Sequence, residues 1–178
     1  AVAPSRIRSP ISPFTPRELT ARGIERQIRA FVRCARLARD AGYDGVEVMG
    51  SEGYFINQFL VTHTNHRSDD WGGPYENRMR LPVEIVQRVR EAVGPDFIVG
   101  ARLVADEDWD KGISKAEGLE ICRRVVATGQ VDFLNVIRGH IDHDAPLAKV
   151  IPVTGMASAP HLDFVGEVKQ ATKFPVFH

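Results

Sequence analysis

The spacing of apolar residues along the chain predicts helices and short buried strands in alternation. Four segments place apolar side chains every three to four positions and so predict amphipathic helices. Four shorter apolar runs, bounded by turn residues, have the length of buried strands. The helices are predicted over residues 15–40, 76–93, 114–129 and 158–172, and the strands over residues 44–49, 97–104, 131–137 and 174–177. This alternation predicts an α/β fold in which right-handed crossovers join parallel strands.

Capping residues and prolines set the predicted helix boundaries. Thr15 to Glu18 has the form of a capping box with Pro at the first helical position, and Ser114 to Glu117 forms a second box. Ser158 is predicted to cap the last helix. Pro82 stands two turns inside the second helix, so we expect either a kink or a later helix start there. Residues 1–14 hold three prolines and no periodicity, which predicts an irregular segment.

Two long connections follow predicted strands, and the first of them is rich in aromatic residues. It has roughly 25 residues, a length that in compact domains is usually functional, and its aromatic content argues against disorder. A short helix is predicted within it over residues 53–61. The second connection spans residues 138–157 and contains no predicted element. Because α/β sheets and barrels bind ligands at the carboxyl ends of their strands, the sequence predicts a binding site in the first connection.

The composition excludes several classes of protein. Of the 178 residues, 43% are hydrophobic and 26% are charged, which is typical of a globular domain. Twenty-three basic residues balance 23 acidic ones, so no net charge favours nucleic acid or an anionic membrane. No apolar run reaches the roughly 18 residues that a membrane span needs, and the first residues do not form a signal peptide. Cys34 and Cys122 lie singly in helical segments, which predicts no disulfide and a cytoplasmic location.

Short motifs that combine charged, amide, aromatic and glycine residues lie between the first predicted strand and the third. They are DGVEVMGSEGY at 44–54, QFL at 58–60, Asn65, Arg67, Asp69, WGG at 71–73, ENR at 76–78, VGARL at 99–103 and VDFLNV at 131–136. Together they resemble the central signature of the old yellow enzyme superfamily of NADH:flavin oxidoreductases. The branch that they resemble contains dienoyl-CoA reductase and trimethylamine dehydrogenase. The resemblance extends over nearly the whole chain from Thr15 onward.

The resemblance implies a (β/α)8 TIM barrel that binds FMN, of which this chain holds roughly the fourth to seventh strands. Residues 1–178 are then a partial FMN-binding domain of a longer flavoprotein, with NADH or NADPH as electron donor and a small molecule as substrate. An iron–sulfur cluster and a second nucleotide domain, which occur in this branch, would lie outside these residues. The outer two predicted strands would lack neighbours, so we expect the piece alone to form a homo-oligomer or to bind FMN weakly.

Arg102 and Met49 are the residues that we assign to the cofactor. Arg102 lies near the carboxyl end of an apolar strand, where a lone guanidinium is costly to bury without an anionic partner. The resemblance implies that Arg102 lies beside N1 and the C2 oxygen of the flavin, and the alternative is a salt bridge to Glu47 inside the barrel. Met49 ends the first strand at a position where many old yellow enzymes carry a hydrogen-bond donor, which a thioether cannot replace.

Tyr54, Glu52 and His140 are the candidate catalytic residues. The resemblance implies that Tyr54 donates a proton to a substrate above the flavin. The alternatives are a packing role for Tyr54 and an ordinary loop charge for Glu52. His140 lies in the polar run GHIDHD at 139–144. It either faces the flavin as a proton donor, or belongs to a solvated loop, or binds a divalent metal together with His143.

Two reactions fit these residues. In the first, an activated alkene such as an enoyl or dienoyl thioester is reduced, and Tyr54 or His140 supplies the proton. In the second, an N-methyl amine is oxidised and demethylated while Glu52 helps to hold the amine. A metal-dependent hydrolase on a similar barrel and a flavin-binding piece without catalysis are alternatives from other classes. The acidic residues at 106–110 are predicted to be solvated, and the polar residues at 65–78 to hold the first connection together.

Overall fold

Helices and strands alternate along the computed structural model, which describes residues 1–142, 144–157 and 159–178. Among these residues no helix combines the length and the apolar character needed to cross a membrane. The strands are β1 (Val2–Ala3), β2 (Arg17–Glu18), β3 (Gly45–Gly50), β4 (Ile98–Asp106), β5 (Phe133–Arg138) and β6 (Val176–Phe177). The helices are α1 (Ala21–Asp40), α2 (Phe55–Leu60), α3 (Tyr75–Val93), α4 (Lys115–Ala127), α5 (Asp144–Val150) and α6 (Leu162–Thr172).

Strands β3 to β6 form one parallel sheet in the order β3-β4-β5-β6, so strands that follow one another in the chain are neighbours. Each connection between them passes through at least one helix, as parallel strands require. The α/β class and the parallel strands predicted from the sequence are therefore confirmed. Strands β3 and β6 are the outer strands of the described sheet, as predicted, and their outer edges can pair with further strands.

The two faces of this sheet differ in polarity because successive side chains point to opposite sides. One face is buried in the core through residues such as Val48, Val99 and Leu134. Burial of each such side chain stabilises the sheet by roughly 1.5–3 kcal/mol. The other face is more exposed and carries two rows of residues that are in register across the strands. The rows are Glu47, Gly100 and Phe133, and then Met49, Arg102, Asn135 and Phe177.

The N-terminal segment is ordered by a pair of short strands and not by a helix. Arg17–Glu18 pairs with Val2–Ala3 in a parallel ladder. The predictions of a capping box at Thr15 and of a wholly irregular start are therefore wrong. Helix α1 is capped instead by Thr20, whose hydroxyl accepts a hydrogen bond from the Gly23 amide at 3.1 Å. Strand pairing satisfies the backbone ahead of Thr20, so the helix begins only where a side chain can satisfy its first amides.

Helix α3 passes through Pro82 without ending. It runs from Tyr75 to Val93, so the later start that was one of the two alternatives is wrong. A proline inside a helix costs about 3 kcal/mol or more, and the burial of its neighbours offsets that cost. Leu81 and Ile85 are fully buried on either side of the proline, and their contact with the core keeps the segment helical.

The later helices agree with the sequence except within the second long connection. Ser114 caps α4 by accepting a hydrogen bond from the Glu117 amide at 3.3 Å, as predicted. Helix α5 lies inside the connection that carries no predicted element, so that prediction is wrong; its Ala, Leu and Lys residues are good helix formers. Helix α6 begins after His161. Ser158, the predicted cap of this helix, lies outside the described residues.

Polar side chains hold the first long connection in shape. The Asn65 amide donates hydrogen bonds to two backbone oxygens of the connection, each at 2.8 Å. The buried guanidinium of Arg78 donates to the carbonyl of Leu60 and forms an ion pair with Glu117 at 2.8 Å. These contacts confirm the structural role predicted for the polar residues at 65–78. Helix α2 lies within the short helix predicted for this connection.

Candidate active site

A cavity of about 320 Å³ opens at the carboxyl ends of the strands. Its walls come from the N-terminal segment, the start of α2, the connection after β4 and the connection after β5. The aromatic and amide side chains that line it are those of Phe14, Tyr54, Gln58, His63, Trp109 and His140. This edge of a parallel sheet is where α/β barrels bind ligands, and the volume is that of a small-molecule site.

The N-terminal segment forms the outer wall of the cavity, although the sequence indicates only an irregular segment there. Arg67 holds this wall in place, because its Nη1 donates to the carbonyls of Pro4 at 2.9 Å and Leu19 at 2.6 Å. The hydroxyl of Ser5 also accepts a hydrogen bond from the His66 amide at 2.9 Å. The first long connection and the N-terminal segment therefore form one ordered unit around the cavity.

Tyr54 reaches the cavity from a left-handed turn at the end of β3. Glu52 and Gly53 both have left-handed backbone angles, with φ of 60° and 83°. The turn is held by the Gly53 amide, which donates to Asn57 Oδ1 at 2.8 Å, and by Gln58 Nε2, which donates to the Gly53 carbonyl at 2.8 Å. Tyr54 immediately precedes α2 and is 46% exposed. A non-glycine residue in this backbone region stores strain and is often found at a functional site.

Arg102 forms an ion pair with Glu52 and not with Glu47. Glu52 Oε1 accepts hydrogen bonds from Arg102 Nε at 3.0 Å and from Nη2 at 2.5 Å. Glu47 instead accepts a hydrogen bond from Asn135 Nδ2 at 2.9 Å, so the predicted alternative of a Glu47–Arg102 salt bridge is wrong. In the sheet Arg102 pairs with Met49, and its guanidinium is directed toward the turn after β3, where Glu52 lies.

The ion pair between Glu52 and Arg102 bears on the roles predicted for both residues. The Glu52 side chain is only 7% exposed, against 28% for Arg102. Glu52 supplies the anionic partner that the sequence argument expected from a cofactor, so burial alone no longer requires an anion at Arg102. The carboxylate of Glu52 is likewise committed to the guanidinium, which leaves it poorly placed to hold a substrate amine.

The exposed row that contains Met49, Arg102 and Asn135 fits the pyrimidine edge of a flavin in its chemistry. A flavin presents ring nitrogens and carbonyl oxygens at that edge, and a guanidinium and an amide can bond to both kinds of atom. The two bonds from Arg102 to Glu52 use Nε and Nη2, and neither of them uses Nη1. Met49 is 40% exposed beside Arg102 in the sheet, so a planar ligand has access to this row.

His140 is buried in the wall of the cavity. It is 6% exposed, and its ring packs at 5.5 Å from that of Trp109, which in turn meets the ring of His63 at 5.1 Å. The Nδ1 atom of His140 accepts a hydrogen bond from the Asp142 amide at 3.0 Å. A neutral imidazole that accepts at Nδ1 carries its proton on Nε2. The solvated-loop alternative is therefore wrong for His140.

Glu107 is fully buried, so the prediction that the whole acidic run at 106–110 is solvated is wrong for this residue. Its Oε2 accepts a hydrogen bond from the Ile113 amide at 2.7 Å, and its Oε1 lies 3.8 Å from Nε2 of His140. Burial raises the pKa of the Glu107 carboxyl to about 7, although the hydrogen bond from the Ile113 amide acts in the opposite direction. A carboxyl that titrates near neutral pH beside a histidine is a common feature of functional sites.

The structure thus assembles two groups of the predicted site residues. Tyr54 and His140 line the cavity, whereas Met49 and Arg102 lie on the exposed face of the sheet and Glu52 reaches Arg102 from the turn after β3. The turn between Glu52 and Tyr54 joins the two groups. Sequence reasoning missed the other aromatic and amide residues of the wall, because their shared surface is created by folding. The signal that could have identified Glu107 is the Gly-Ile pair that follows the acidic run.

Comparison with known proteins identifies the family. A family model described as NADH:flavin oxidoreductase / NADH oxidase matches residues 2–176. The chain belongs to this family, which confirms the old yellow enzyme resemblance drawn from the sequence. Fold and site therefore define part of an oxidoreductase barrel of the flavin-dependent TIM-barrel class.

Individual relatives carry both of the chemistries predicted from the sequence. A probable N-methylproline demethylase from Rhizobium meliloti (strain 1021) is 44% identical over 177 residues, which are 99% of this chain and 26% of the relative. A multifunctional alkene reductase/demethylase OYE from Caballeronia cordobensis is 37% identical over 178 residues, again 99% of this chain and 26% of that protein. A solved complex of 2-naphthoyl-CoA reductase with 2-naphthoyl-CoA superposes with a TM-score of 0.88 at 32% identity, over 98% of this chain and 26% of that one. This chain spans about a quarter of the length of each of these relatives.

The family match argues against the metal-dependent hydrolase that the sequence left as an alternative. Within residues 1–142, 144–157 and 159–178, no group of three or more His, Cys, Asp or Glu side chains is placed to hold a metal ion. His143, the partner suggested for His140 in such a site, lies outside the described residues.

Proposed function

We propose that the complete protein is an FMN-dependent oxidoreductase, and that residues 1–178 are the part of its barrel that supplies one wall of the substrate site. The observation that carries the proposal is the cavity at the carboxyl ends of the strands, which Tyr54 and His140 line together. NADH or NADPH is the proposed electron donor, in keeping with the family. The substrate is a small molecule that fits the cavity.

In this proposal the exposed row of the sheet holds the flavin ring. Arg102 and Asn135 bond to its pyrimidine edge, and Met49 packs against the ring. When bound, FMN supplies hydride exchange with the nicotinamide nucleotide and with the substrate. Arg102 balances negative charge at the pyrimidine edge while Glu52 keeps the guanidinium in place, and a preorganised group of this kind commonly contributes about 100-fold in rate.

Reduction of an activated alkene, such as an enoyl or dienoyl thioester, is the reaction that the geometry supports best. This reaction needs a proton for one alkene carbon in addition to hydride for the other. Tyr54 is the proposed donor, because its side chain is 46% exposed in the wall of the cavity. His140 is the second proton-bearing group, but its Nε2 faces the buried Glu107 and its Nδ1 is engaged by Asp142.

Oxidation of an N-methyl amine is the second candidate. The relatives named as demethylases favour it, including the one that is 44% identical. Because Glu52 is held by Arg102, the carboxylate that lines the cavity and could hold an amine is that of Asp142. In this reaction the substrate loses hydride, and the iminium product reacts with water to release the methyl group as an aldehyde.

Rapid-mixing kinetics on Tyr54→Phe in the complete protein separate the two reactions. If an alkene is reduced, the variant should bleach at the normal rate with NADH or NADPH and recover its colour slowly when a conjugated enoyl thioester is added. The removal of a general acid commonly costs roughly 100-fold or more. Tyr43→Phe is the matched control, because Tyr43 is 68% exposed and lies before β3, away from the cavity.

Two other outcomes of the same kinetics would contradict alkene reduction with Tyr54 as the proton donor. Normal reoxidation of Tyr54→Phe by the thioester would remove Tyr54 as the proton donor. Bleaching by an N-methyl amine such as sarcosine, without any reoxidation by alkenes, would establish amine oxidation instead. In that case Asp142→Asn should weaken amine binding by about 1.5–3 kcal/mol, the range for hydrogen bonds to charged groups.

A further inference from the structure

The chain around Glu107 is built to receive a buried carboxylate. The Glu107 amide donates to the carbonyl of Ile113 at 2.9 Å, and the Ile113 amide donates back to Glu107 Oε2 at 2.7 Å. A methyl group at Gly112 would lie 2.1 Å from the same Oε2 atom, so only a glycine fits at this point of the turn. The two bonds and the close approach of Gly112 fix the position of the carboxylate.

The second oxygen of Glu107 points toward the wall of the cavity. Oε1 lies 3.8 Å from Nε2 of His140, and the side chains of the two residues are 0% and 7% exposed. At this separation in a buried site an ionised carboxyl attracts the proton of an imidazole strongly, because little water screens the two groups.

The imidazole of His140 is held in one tautomer from its other side. The Asp142 amide donates to Nδ1, which places the ring proton on Nε2, where Glu107 attracts it. The turn that carries Tyr54 also packs against this nitrogen, because a methyl group at Gly53 would lie 2.6 Å from Nε2. The ring is therefore fixed between Glu107, Gly53 and the Asp142 amide.

We propose that Glu107 is a positioning residue for His140: its carboxylate attracts the proton on Nε2 and fixes the tautomer and orientation in which the imidazole meets the cavity. The importance of this role for turnover rests on the proposed function, but the tautomer itself does not. Glu107 touches neither substrate nor cofactor in this account and acts only through His140.

Glu107→Gln tests the proposal because an amide cannot satisfy both neighbours of the carboxylate. If the amide oxygen accepts from Ile113, as Oε2 does, the amide NH2 group faces Nε2 of His140. Two donors then oppose each other at Nε2, so only the Asp142 amide at Nδ1 still favours the Nε2-protonated ring, and the Nδ1-protonated form should become populated beside it. Nitrogen-15 spectra of the full-length flavoprotein, labelled at the histidine rings, report this tautomer directly, and His140→Asn identifies the signal. Asp110→Asn, an exposed change in the same acidic run, is the matched control.

At about pH 8, where the Glu107 carboxyl is mostly ionised, the expected result is an Nε2-protonated His140 in the wild type and in Asp110→Asn, and a mixture of the two tautomers in Glu107→Gln. An unchanged tautomer in Glu107→Gln would overturn the proposal. If that variant fails to fold, an Nδ1-protonated ring in the wild type would overturn it equally. A changed tautomer with unchanged reoxidation by an enoyl thioester would leave Glu107 as the positioning residue and would remove His140 from the proposed reaction.

Discussion

Glu52 Oε1 receives both hydrogen bonds that the Arg102 guanidinium directs to this side chain, at 3.0 Å from Nε and 2.5 Å from Nη2. The pair links β4 to the left-handed turn that ends β3. It therefore connects the residue proposed to contact the flavin with the turn that presents Tyr54 to the cavity. A change on either side of this ion pair should affect both the stability of the turn and the position of the guanidinium.

Glu52→Gln should lower the free energy of unfolding of the complete protein by about 1.5–3 kcal/mol, because one partner of a hydrogen-bonded charge pair is removed while the other stays partly buried. Urea denaturation measures this difference. Glu91→Gln, an exposed substitution near the end of α3, serves as the control and should change stability by less than about 0.5 kcal/mol. Equal effects of the two substitutions would contradict a stabilising role for the pair.

Arg102→Ala should release FMN from the complete protein and slow its reduction, because the pyrimidine edge of the flavin loses its cationic partner. The loss in the rate of reduction should be about 100-fold. Flavin content after gel filtration and bleaching kinetics with NADH measure the two effects. Arg33→Ala, an exposed arginine of α1, is the control. Full flavin content together with normal reduction in Arg102→Ala would show that Arg102 serves only its ion pair with Glu52.

Gly53→Ala should destabilise the protein more than Gly42→Ala does. Both glycines have left-handed backbone angles, with φ of 83° and 85°, so both substitutions carry the same backbone strain of about 1 kcal/mol. Only at Gly53 would the new methyl group meet a neighbour, at 2.6 Å from Nε2 of His140, whereas nothing lies within 4 Å at Gly42. The difference in urea midpoints isolates the contact with His140, and identical midpoints would show that this contact is easily relieved.

The stability of the protein should fall as the pH rises through the range in which Glu107 ionises. The carboxyl has a pKa of about 7 in the folded state, against an ordinary value of 4.5. The folded state therefore binds the proton more tightly, and stability is lost between about pH 4.5 and pH 7 by roughly 3 kcal/mol. Burial is the main cause, and the charges of Glu117 and Asp106 act in the same direction, against the hydrogen bond from the Ile113 amide.

Glu107→Gln provides the measurement for this pH dependence. The amide of the variant does not ionise. The difference in unfolding free energy between wild type and variant should therefore change by roughly 3 kcal/mol between about pH 4.5 and pH 7. Titrating groups that lie away from Glu107 behave alike in both proteins and cancel in the difference, and a parallel comparison in a His140→Asn background removes the contribution of the neighbouring imidazole. A difference that stays constant from pH 4.5 to pH 8 would show that the Glu107 carboxyl titrates at its ordinary pKa.

Much of the fold could be predicted because it follows from local patterns. The alternation of helices and strands and the Ser114 cap depend on residues close together in the chain, and the structure confirms them. The capping box predicted at Thr15 to Glu18 is wrong because part of this segment forms β2. Strand β2 pairs with β1, whose residues are 15 positions away, and no local pattern reveals that pairing. Helix boundaries that depend on tertiary pairing are therefore the ones that were predicted wrongly.

The site was predicted less well, because its contacts cross between elements. The sequence indicates that Arg102 needs an anionic partner, and the partners that it offers are the flavin and Glu47. The left-handed turn after β3 brings Glu52 to the guanidinium instead, and no local pattern reveals that turn. Glu107 was predicted to be solvated because acidic runs usually are, and its burial depends on a turn closed by Ile113 and on contact with the distant His140.

The flavin content of the complete protein tests the central claim most directly. The account predicts a yellow protein whose visible spectrum shows oxidised flavin, whose released cofactor is FMN, and whose colour is bleached by NADH or NADPH under anaerobic conditions. Addition of a conjugated enoyl thioester to the bleached protein should restore the colour. A correctly folded, full-length protein that is colourless and takes up no FMN on titration would contradict the account.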